Sequence, residues 1–238
     1  MKKIIKLLSV TLAVILAITT SCKKSSDSAS NSGGGNTNSE WQNGTLPGVF
    51  SVSETQQVYF SQGNLQYQAS TDTWRFAENQ WDYVGYDNEN ISSTYSGWID
   101  LFGWGTSGWD NGNLLYHPYD SDDVNGAWYG PSGEYDLTGN YANSDWGVYN
   151  AISNGGNTAG MWRALTRDEW GYLMYYRNTS SGIRFAKATV NGVGGLILLP
   201  DDWLPSVYSL NNTNQGSASY SSNTVNASDW VSMENAGA

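Results

Sequence analysis

The chain has 238 residues, of which 14% are aromatic and 14% charged, and its formal net charge is −11. This length allows one sizeable domain, and a second domain would have to be small. With 11 Lys and Arg against 22 Asp and Glu, the chain lacks the basic footprint that nucleic-acid binding requires. An acidic exterior instead suits cation binding or a neutral or basic partner.

Residues 1–21 have the pattern of a signal peptide. Three lysines precede an apolar run over Leu7–Ile18, which is too short to span a bilayer. The only cysteine, Cys22, follows this run as in a bacterial lipoprotein signal, in which the cysteine is lipidated after cleavage. We therefore predict an outer-membrane lipoprotein on the periplasmic or cell-surface side. A plain cleaved signal is the alternative, because Thr19 stands where the lipoprotein pattern prefers Leu.

Residues 22–45 are predicted to be a disordered tether. Ser, Asn and Gly dominate this segment, and it has too few apolar residues to order itself. Within it, Asp27, Ser28 and Ala29 resemble the short O-glycosylation signal of Bacteroidota. A single domain over residues 46–238 is predicted to follow.

Short runs of β-forming residues open this domain. The predicted strands are Val49–Val52, Val58–Phe60, Leu65–Tyr67 and Trp74–Phe76, and Trp81–Val84 is another strand or an irregular edge. The polar stretch Gln68–Thr73 predicts a hairpin with a longer loop.

The region from Gly85 to Gly160 is predicted to be dominated by loops, because it shows no sustained helical or alternating pattern. Its aromatic content argues against disorder. A Gly-Trp pair recurs in it, with tryptophans that either fill a core poor in aliphatic residues or form a stacking surface for sugar rings. In the second case the candidate ligand-binding residues are Trp98, Trp104, Trp109 and Tyr116.

An acidic stretch in the same region has the oxygen ligands of a calcium loop. The candidate ligands are Asp120, Asp122, Asp123 and Asn125. The stretch departs from the EF-hand pattern, since Val124 occupies a ligand position and Pro131 stands where the bidentate Glu should be. An irregular calcium site and a solvated acidic turn are both open.

The chain offers little for catalysis by a nucleophile or by zinc. The single histidine, His117, lies in a predicted loop, and one His with one lipidated Cys cannot supply a usual zinc ligand set. A pair of carboxylates acting as a glycosidase is left open, because sequence alone cannot show two of them facing one cleft. We assign no catalytic residue.

A helix is predicted over Thr166–Arg177. Thr166 and Glu169 have the spacing of a capping box, and Leu165 can pack against Trp170 as a hydrophobic staple. One apolar face is expected to run along the helix, extended by the stem of its last arginine, and it consists of Trp170, Leu173 and Met174.

A second hairpin is predicted over Ile183–Val190 and Gly195–Leu199, with its turn at Asn191 and Gly192. The unbroken apolar run Leu196–Leu199 predicts a central strand buried on both faces. A short helix is predicted over Val225–Asn235, with Asn226 or Ser228 as its cap and Gly237 as its stop.

Several segments resemble known families. Met161–Gly171 looks like the segment RLPTEAEWEYA of the formylglycine-generating-enzyme-like (sulfatase-modifying-factor-like) domains, which have a C-type-lectin-like fold. More closely, five segments resemble uncharacterised lipoproteins of gut Bacteroidota: Gly48–Ser53, Val58–Tyr67, Thr73–Gly85, Ser96–Gly108 and Ile197–Trp203. The resemblance implies an α+β, irregular C-type-lectin-like domain with short antiparallel strands, one or two helices and long loops.

The same resemblance implies binding more than catalysis. Formylglycine-generating enzymes use active-site cysteines, and this chain has none after Cys22. The Glu-Pro-Asn and Trp-Asn-Asp motifs of calcium-dependent sugar-binding lectins are also missing from the sequence. Related chains imply further strands after Ala238, so we expect an incomplete domain.

The sequence favours a non-catalytic binding module that is anchored in the membrane through Cys22 and recognises a glycan or a protein. The alternatives are a carboxylate-based glycoside hydrolase and a structural or assembly subunit of the cell surface. Calcium is the one cofactor that the sequence leaves open.

Overall fold

The computed structural model describes residues 14–16, 42–84, 94–100, 147 and 150–238. Small, mainly antiparallel sheets and few helices make the fold α+β, as predicted. The strands are β1 (Val14–Leu16), β2 (Phe50–Ser51), β3 (Gln57–Phe60), β4 (Leu65–Gln68), β5 (Thr73–Phe76), β6 (Trp162–Arg163), β7 (Phe185–Val190), β8 (Val193–Leu198) and β9 (Thr224–Val225). The helices are α1 (Arg167–Gly171), which continues as a π-helix over Tyr172–Tyr176, and α2 (Ala227–Asn235), with short 3₁₀ turns at Gln42–Gly44, Ala69–Thr71 and Tyr220–Ser222.

The predicted hairpin of β4 and β5 is confirmed. The strands pair antiparallel with Gln66 opposite Arg75 and Tyr67 opposite Trp74. Because side chains alternate along a strand, the apolar residues face one side and Gln66 and Arg75 face the other. The buried side joins a core cluster made of Leu65, Tyr67, Trp74, Phe76, Ile99, Ile152 and Trp162.

A second sheet has the strand order β2-β3-β1-β6. Its strand β1, Val14–Leu16, comes from the predicted signal peptide and pairs antiparallel with both β3 and β6. Removal of the signal would therefore leave β3 and β6 each with an open edge. Signal cleavage stays a prediction, and Cys22 and the proposed glycosylation signal at Asp27, Ser28 and Ala29 lie outside the described residues.

The region Trp81–Val84 forms no strand. It leaves the hairpin through a turn, and the Val84 N–H donates to Asp100 Oδ2 at 2.7 Å. The irregular edge is therefore the right alternative. In the part of the chain that the structure describes, no helix has the length and apolar character of a membrane span.

The predicted capping box is present at the start of α1. Thr166 Oγ1 accepts from the Glu169 N–H at 3.2 Å, and Glu169 Oε2 accepts from the Thr166 N–H at 2.8 Å. The Glu169 carboxylate also binds the Arg163 guanidinium through two bonds, of 2.5 and 2.7 Å. Glu169 is therefore fully engaged in holding the helix start against β6.

The predicted apolar face of this helix is also confirmed. Leu165 and Leu173 are buried in a core cluster, and Trp170 and Met174 pack against it. This cluster fills the space between the helix and the second sheet through Phe50, Val58 and Phe60.

Arg177, which follows the π-helix, is more than an aliphatic extension of that face. The residue is 1% exposed, and its Nη1 donates to Asp201 Oδ1 at 2.9 Å. The same carboxylate accepts from the Ser51 N–H at 2.9 Å. Asp201 therefore ties the end of the helix to β2, and the sequence pattern did not reveal this link.

The second predicted hairpin is confirmed, and Ile197–Leu199 are buried in succession as predicted, but their strand is not the central one of the described sheet. β7 and β8 pair antiparallel around Asn191 and Gly192, whose φ angles are +46° and +85°. The central strand is β7, because β9 pairs parallel to its other edge, and β8 is an outer strand in the described sheet. β9 arrives from a distant part of the chain, so the apolar run in β8 could not indicate the strand order.

The C-terminal helix α2 has the predicted cap and stop. Asn226 Oδ1 accepts from the Asp229 N–H at 2.8 Å, and Trp230 and Met233 are buried against the β7–β8 hairpin cluster. Gly237 follows the helix with φ of +94°. A side chain at Gly48 would collide with the backbone of Gly237, so this close approach requires glycine.

Because Glu234 on α2 is buried, the free energy of unfolding is expected to depend on pH. Glu234 is 4% exposed, and burial raises its pKa from 4.5 to about 7, with the neighbouring Trp230 indole acting in the opposite direction. A carboxyl with a raised folded pKa binds its proton more tightly in the folded state, so its stabilisation is present at acid pH and lost as the pH rises from about 4.5 to about 7.

Glu234→Gln should therefore raise the unfolding free energy at about pH 8 by up to about 3 kcal/mol and flatten its decline above about pH 5. Urea unfolding at several pH values measures both effects. The exposed Glu54→Gln is the control and should leave the profile unchanged. An unchanged profile in Glu234→Gln would contradict the assignment.

Candidate ligand-binding site

Residues 96–100 run along the free edge of β4 and extend the β4–β5 hairpin on that side. Tyr67 and Ile99 exchange both backbone hydrogen bonds at 2.9 Å, and Gln68 Nε2 donates to the Ser96 carbonyl at 2.5 Å. Ile99 points into the core, so the alternation of side chains places Trp98 on the outer face.

Trp98 and Arg75 stack on this outer face. The guanidinium carbon of Arg75 lies 3.8 Å from the centroid of the Trp98 ring. Arg75 Nε donates to Gln66 Oε1 at 3.0 Å, and Gln66 is only 5% exposed. The ring and the hydrogen bond together fix the plane of the guanidinium.

Burial lowers the pKa of Arg75, and the charges of Glu78 and Asp82 oppose that shift. The group keeps its positive charge, because an arginine is protonated at all physiological pH values. Neither Nη nitrogen has a hydrogen-bond or salt-bridge partner among the described residues. This face therefore presents a charged group with donors that are not engaged by the described part of the chain.

A loop over residues 150–157 runs along the other edge of β5. The Ser153 N–H donates to the Trp74 carbonyl at 2.8 Å. Asn154 binds the backbone of Phe76 twice, accepting from its N–H at 2.7 Å and donating to its carbonyl at 2.9 Å. The Asn154 amide thus takes the place of a neighbouring strand and fixes the loop.

The space between this loop and the hairpin tip is a cleft of about 330 Å³. Polar side chains dominate its wall, which consists of Asp72, Thr73, Trp74, Asn150, Ala151, Ser153 and Asn157. Asp72 Oδ1 accepts from the Tyr67 hydroxyl at 3.0 Å. Burial, together with this hydrogen bond, raises the pKa of Tyr67 to about 12, so Tyr67 stays a donor to Asp72 near neutral pH.

The cleft and the Trp98 face are neighbours through β5. Thr73 lines the cleft, and Arg75 lies two residues further along the strand on the same face. The amide, hydroxyl and carboxylate groups that line the cleft can bind the hydroxyl groups of a ligand, and the Trp98 ring, which does not line the cleft, lies on the far side of β4.

Of the predicted ligand-binding residues, Trp98 lies in this site. Trp104, Trp109 and Tyr116 lie outside the described residues, as does His117. The candidate calcium ligands Asp120, Asp122, Asp123 and Asn125 also lie outside them, so the calcium loop stays a prediction. In residues 42–84, 94–100 and 150–238, no three potential metal-ligating side chains come together.

Sequence reasoning missed Arg75, Asp72 and Asn157. Arg75 did carry a signal, since it interrupts the aromatic run TWRF at an alternating position and must face away from Trp74 and Phe76. Asp72 and Asn157 have positive φ angles of 50° and 49°, which Asp and Asn tolerate in turns. The sequence placed both in loops but could not bring the two loops together.

Comparison of the chain with protein-family models, with curated proteins and with solved structures found no match.

Proposed function

We propose that this protein is a non-catalytic, surface-anchored binding module that recognises a glycan, on an α+β domain of C-type-lectin-like type held at the outer membrane through Cys22. The observation that carries the proposal is the position of Trp98 on the face of the β4–β5 hairpin opposite the core cluster. A tryptophan that only filled the core would pack inside with Trp74 and Trp162, as the other interpretation of the Gly-Trp pairs requires.

The composition of the cleft supports binding over the glycoside hydrolase alternative. Glycoside hydrolysis uses two carboxyl groups that flank the scissile bond. The described wall of the cleft contributes one carboxylate, Asp72, which is already bonded to Tyr67. Amide and hydroxyl groups make up the rest of its polar wall, and these groups suit recognition of sugar hydroxyls.

Trp98→Ala is expected to weaken glycan binding at least about tenfold, because it removes the aromatic face of the site. Binding of the wild-type chain to a glycan array identifies the ligand, and titration of that ligand by calorimetry gives the ratio. The melting temperature of Trp98→Ala should fall less than that of Trp162→Ala, since Trp98 is only partly buried whereas Trp162 is 1% exposed.

Tyr176→Ala is the matched control, because Tyr176 is an aromatic residue that is 73% exposed on the π-helix, away from β5. This variant should bind like the wild type. Loss of binding in Tyr176→Ala with retention in Trp98→Ala would place the site elsewhere. An array and a pull-down on host and microbial material that both stay blank would count against a glycan-binding module.

A further inference from the structure

Strand β1 lies in the interior of the second sheet, between β3 and β6. It pairs antiparallel with both neighbours, with Ile15 opposite Tyr59 on one side and opposite Trp162 on the other. β3 and β6 therefore run parallel to each other, with a space one strand wide between them, about 10 Å from strand to strand. We call this space the strand slot. Because β1 belongs to the predicted signal peptide, processing at Cys22 would remove the strand that fills the slot.

Both walls of the strand slot are held by contacts that do not involve β1. On its other edge β3 pairs with β2, and its Val58 and Phe60 side chains are buried in the cluster below α1. In β6, Trp162 is buried in the hairpin cluster, and Arg163 binds the Glu169 carboxylate. Because the walls are anchored in different core clusters, closing the slot would require both clusters to repack.

The slot edge of β3 presents the backbone groups of Tyr59. The Phe60 carbonyl accepts from the Leu46 N–H at 2.8 Å, on the edge that carries β2. Backbone groups of successive residues in a strand point to opposite edges, so the N–H and the carbonyl of Tyr59 point into the slot. Without β1 these groups have no strand partner and become a template for another strand.

The surroundings of the slot require an apolar occupant. Directly opposed residues of a pleated sheet share a face, so an occupant residue opposite Phe60 faces the cluster of Val58 and Phe60. The next occupant residue, opposite Trp162, faces the side of the hairpin cluster. A strand that meets apolar surroundings on both faces has an unbroken apolar sequence, as the VIL sequence of β1 does.

The chain after residue 21 has little to offer in place of β1. Residues 23–41 contain no two adjacent aliphatic or aromatic residues. The longest aliphatic run, Leu196–Leu199, already belongs to β8 and the segment after it, and its last three residues are buried. β8 would have to unfold to lend this run to the slot, either in the same chain or in a second copy.

We propose that the strand slot between β3 and β6 accepts an apolar strand from a different protein once the signal peptide has been removed. The occupant adds antiparallel to both walls, with main-chain hydrogen bonds supplying affinity and apolar side chains on both faces supplying specificity. This inference rests on the processing at Cys22 in the proposed function and is independent of glycan binding. It gives the mature module a protein partner in addition to its glycan.

The test compares two forms of the protein in detergent. One is the lipoprotein purified from membranes, with its N-terminus at Cys22 verified by mass spectrometry, and the other is the unprocessed Cys22→Ser chain. The probe is a fluorescent peptide with the sequence of Leu12–Ile18 and two added lysines at each end. Its anisotropy should show binding to the processed form at least about tenfold tighter than to Cys22→Ser, whose own β1 fills the slot.

The same peptide with Ile15→Pro is the control for partition into detergent. It keeps the apolar character but has no N–H at the position opposite Tyr59. We expect it to bind the processed form at least about tenfold more weakly than the original peptide.

Tyr59→Pro tests the slot edge of the protein. It removes the N–H that points into the slot and leaves the bonds of β3 to β2, so the processed variant should fold and lose at least about tenfold in peptide affinity. Tyr59→Ala keeps this N–H and is the matched control, expected to bind within about threefold of the wild type. The melting temperature of each variant reports whether it has folded.

A purified protein that still begins at Met1 would overturn the inference, because β1 would then be a permanent strand. Equal affinity for the processed form and Cys22→Ser, or for the two peptides, would also overturn it, as would a processed form that binds no peptide. A dimer of the processed form that the peptide does not dissociate would assign the slot to a second copy and overturn the choice of a different protein. If the N-terminus is Cys22 and the peptide fails, the proposed function stands, and the glycan array decides glycan binding separately.

Discussion

Asp201→Ala is expected to lower the free energy of unfolding by about 3 to 5 kcal/mol, because it leaves the Arg177 guanidinium buried without its counter-charge. The Arg177 side chain is fully buried, whereas that of Asp201 is 19% exposed. Burial lowers the pKa of Arg177, and the hydrogen bond and charge of Asp201 oppose this shift. The carboxylate thus offsets the cost of placing a cation in the interior.

The two partners of this ion pair should respond differently to substitution. Arg177→Met fills the buried space with an apolar chain and leaves Asp201 with solvent contact and its bonds to Ser51, so we expect a loss of only about 1 to 3 kcal/mol. Urea unfolding followed by tryptophan fluorescence measures both variants. Equal losses would mean that the buried charge is not the dominant cost.

Asp202→Ala provides the control for Asp201→Ala. Asp202 is the next residue along the chain and is exposed, so the same substitution there removes a carboxylate without uncovering a buried cation. We expect its unfolding free energy to stay within about 0.5 kcal/mol of the wild type. A large loss in this variant would point to a general effect of charge in the loop after β8.

Trp162→Ala is the second substitution with a large expected effect, a loss of about 3 to 5 kcal/mol. Trp162 is 1% exposed, its Nε1 donates to the Gly155 carbonyl at 2.7 Å, and its ring meets that of Phe76 edge to face at 4.5 Å between centroids. The substitution therefore empties the centre of the cluster below the hairpin and releases the loop that forms the cleft.

Trp162→Phe separates the contribution of ring packing from that of the hydrogen bond to Gly155. It keeps an aromatic ring in the cluster but removes the donor to Gly155, so a loss of about 1 to 3 kcal/mol is expected. Trp98→Ala removes a partly buried tryptophan from the opposite face of the hairpin and should cost less than Trp162→Ala. Urea unfolding that ranks Trp98→Ala as the most destabilised of the three would contradict the assignment of Trp162 to the core and of Trp98 to a partly buried position on the opposite face.

Local signals predicted the hairpins and the helix starts correctly. The capping box of Thr166 and Glu169 involves residues three positions apart, and the turn at Asn191 and Gly192 needs only two residues with positive φ. Such features depend on neighbours in the chain, so they can be read from the sequence.

Features that depend on distant residues were missed or wrongly assigned. The apolar run Leu196–Leu199 predicted a central strand, but β9 pairs with β7 and makes β7 the centre. The partner of Arg177 is 24 residues away, and Ser51 binds Asp201 across 150 residues. No local pattern encodes which of many exposed carboxylates will meet a given arginine.

The sequence by itself determined the class of the fold, the two hairpins, the capped helices and the absence of a basic footprint, because each follows from composition or from residues close in the chain. The tertiary structure alone decided the site. It brought Trp98 over Arg75 and set the loop of Asn157 beside the turn of Asp72. These contacts form only when separate segments pack on the same strand pair, so the side chains of the site acquire their chemistry from the packing of the core beneath them.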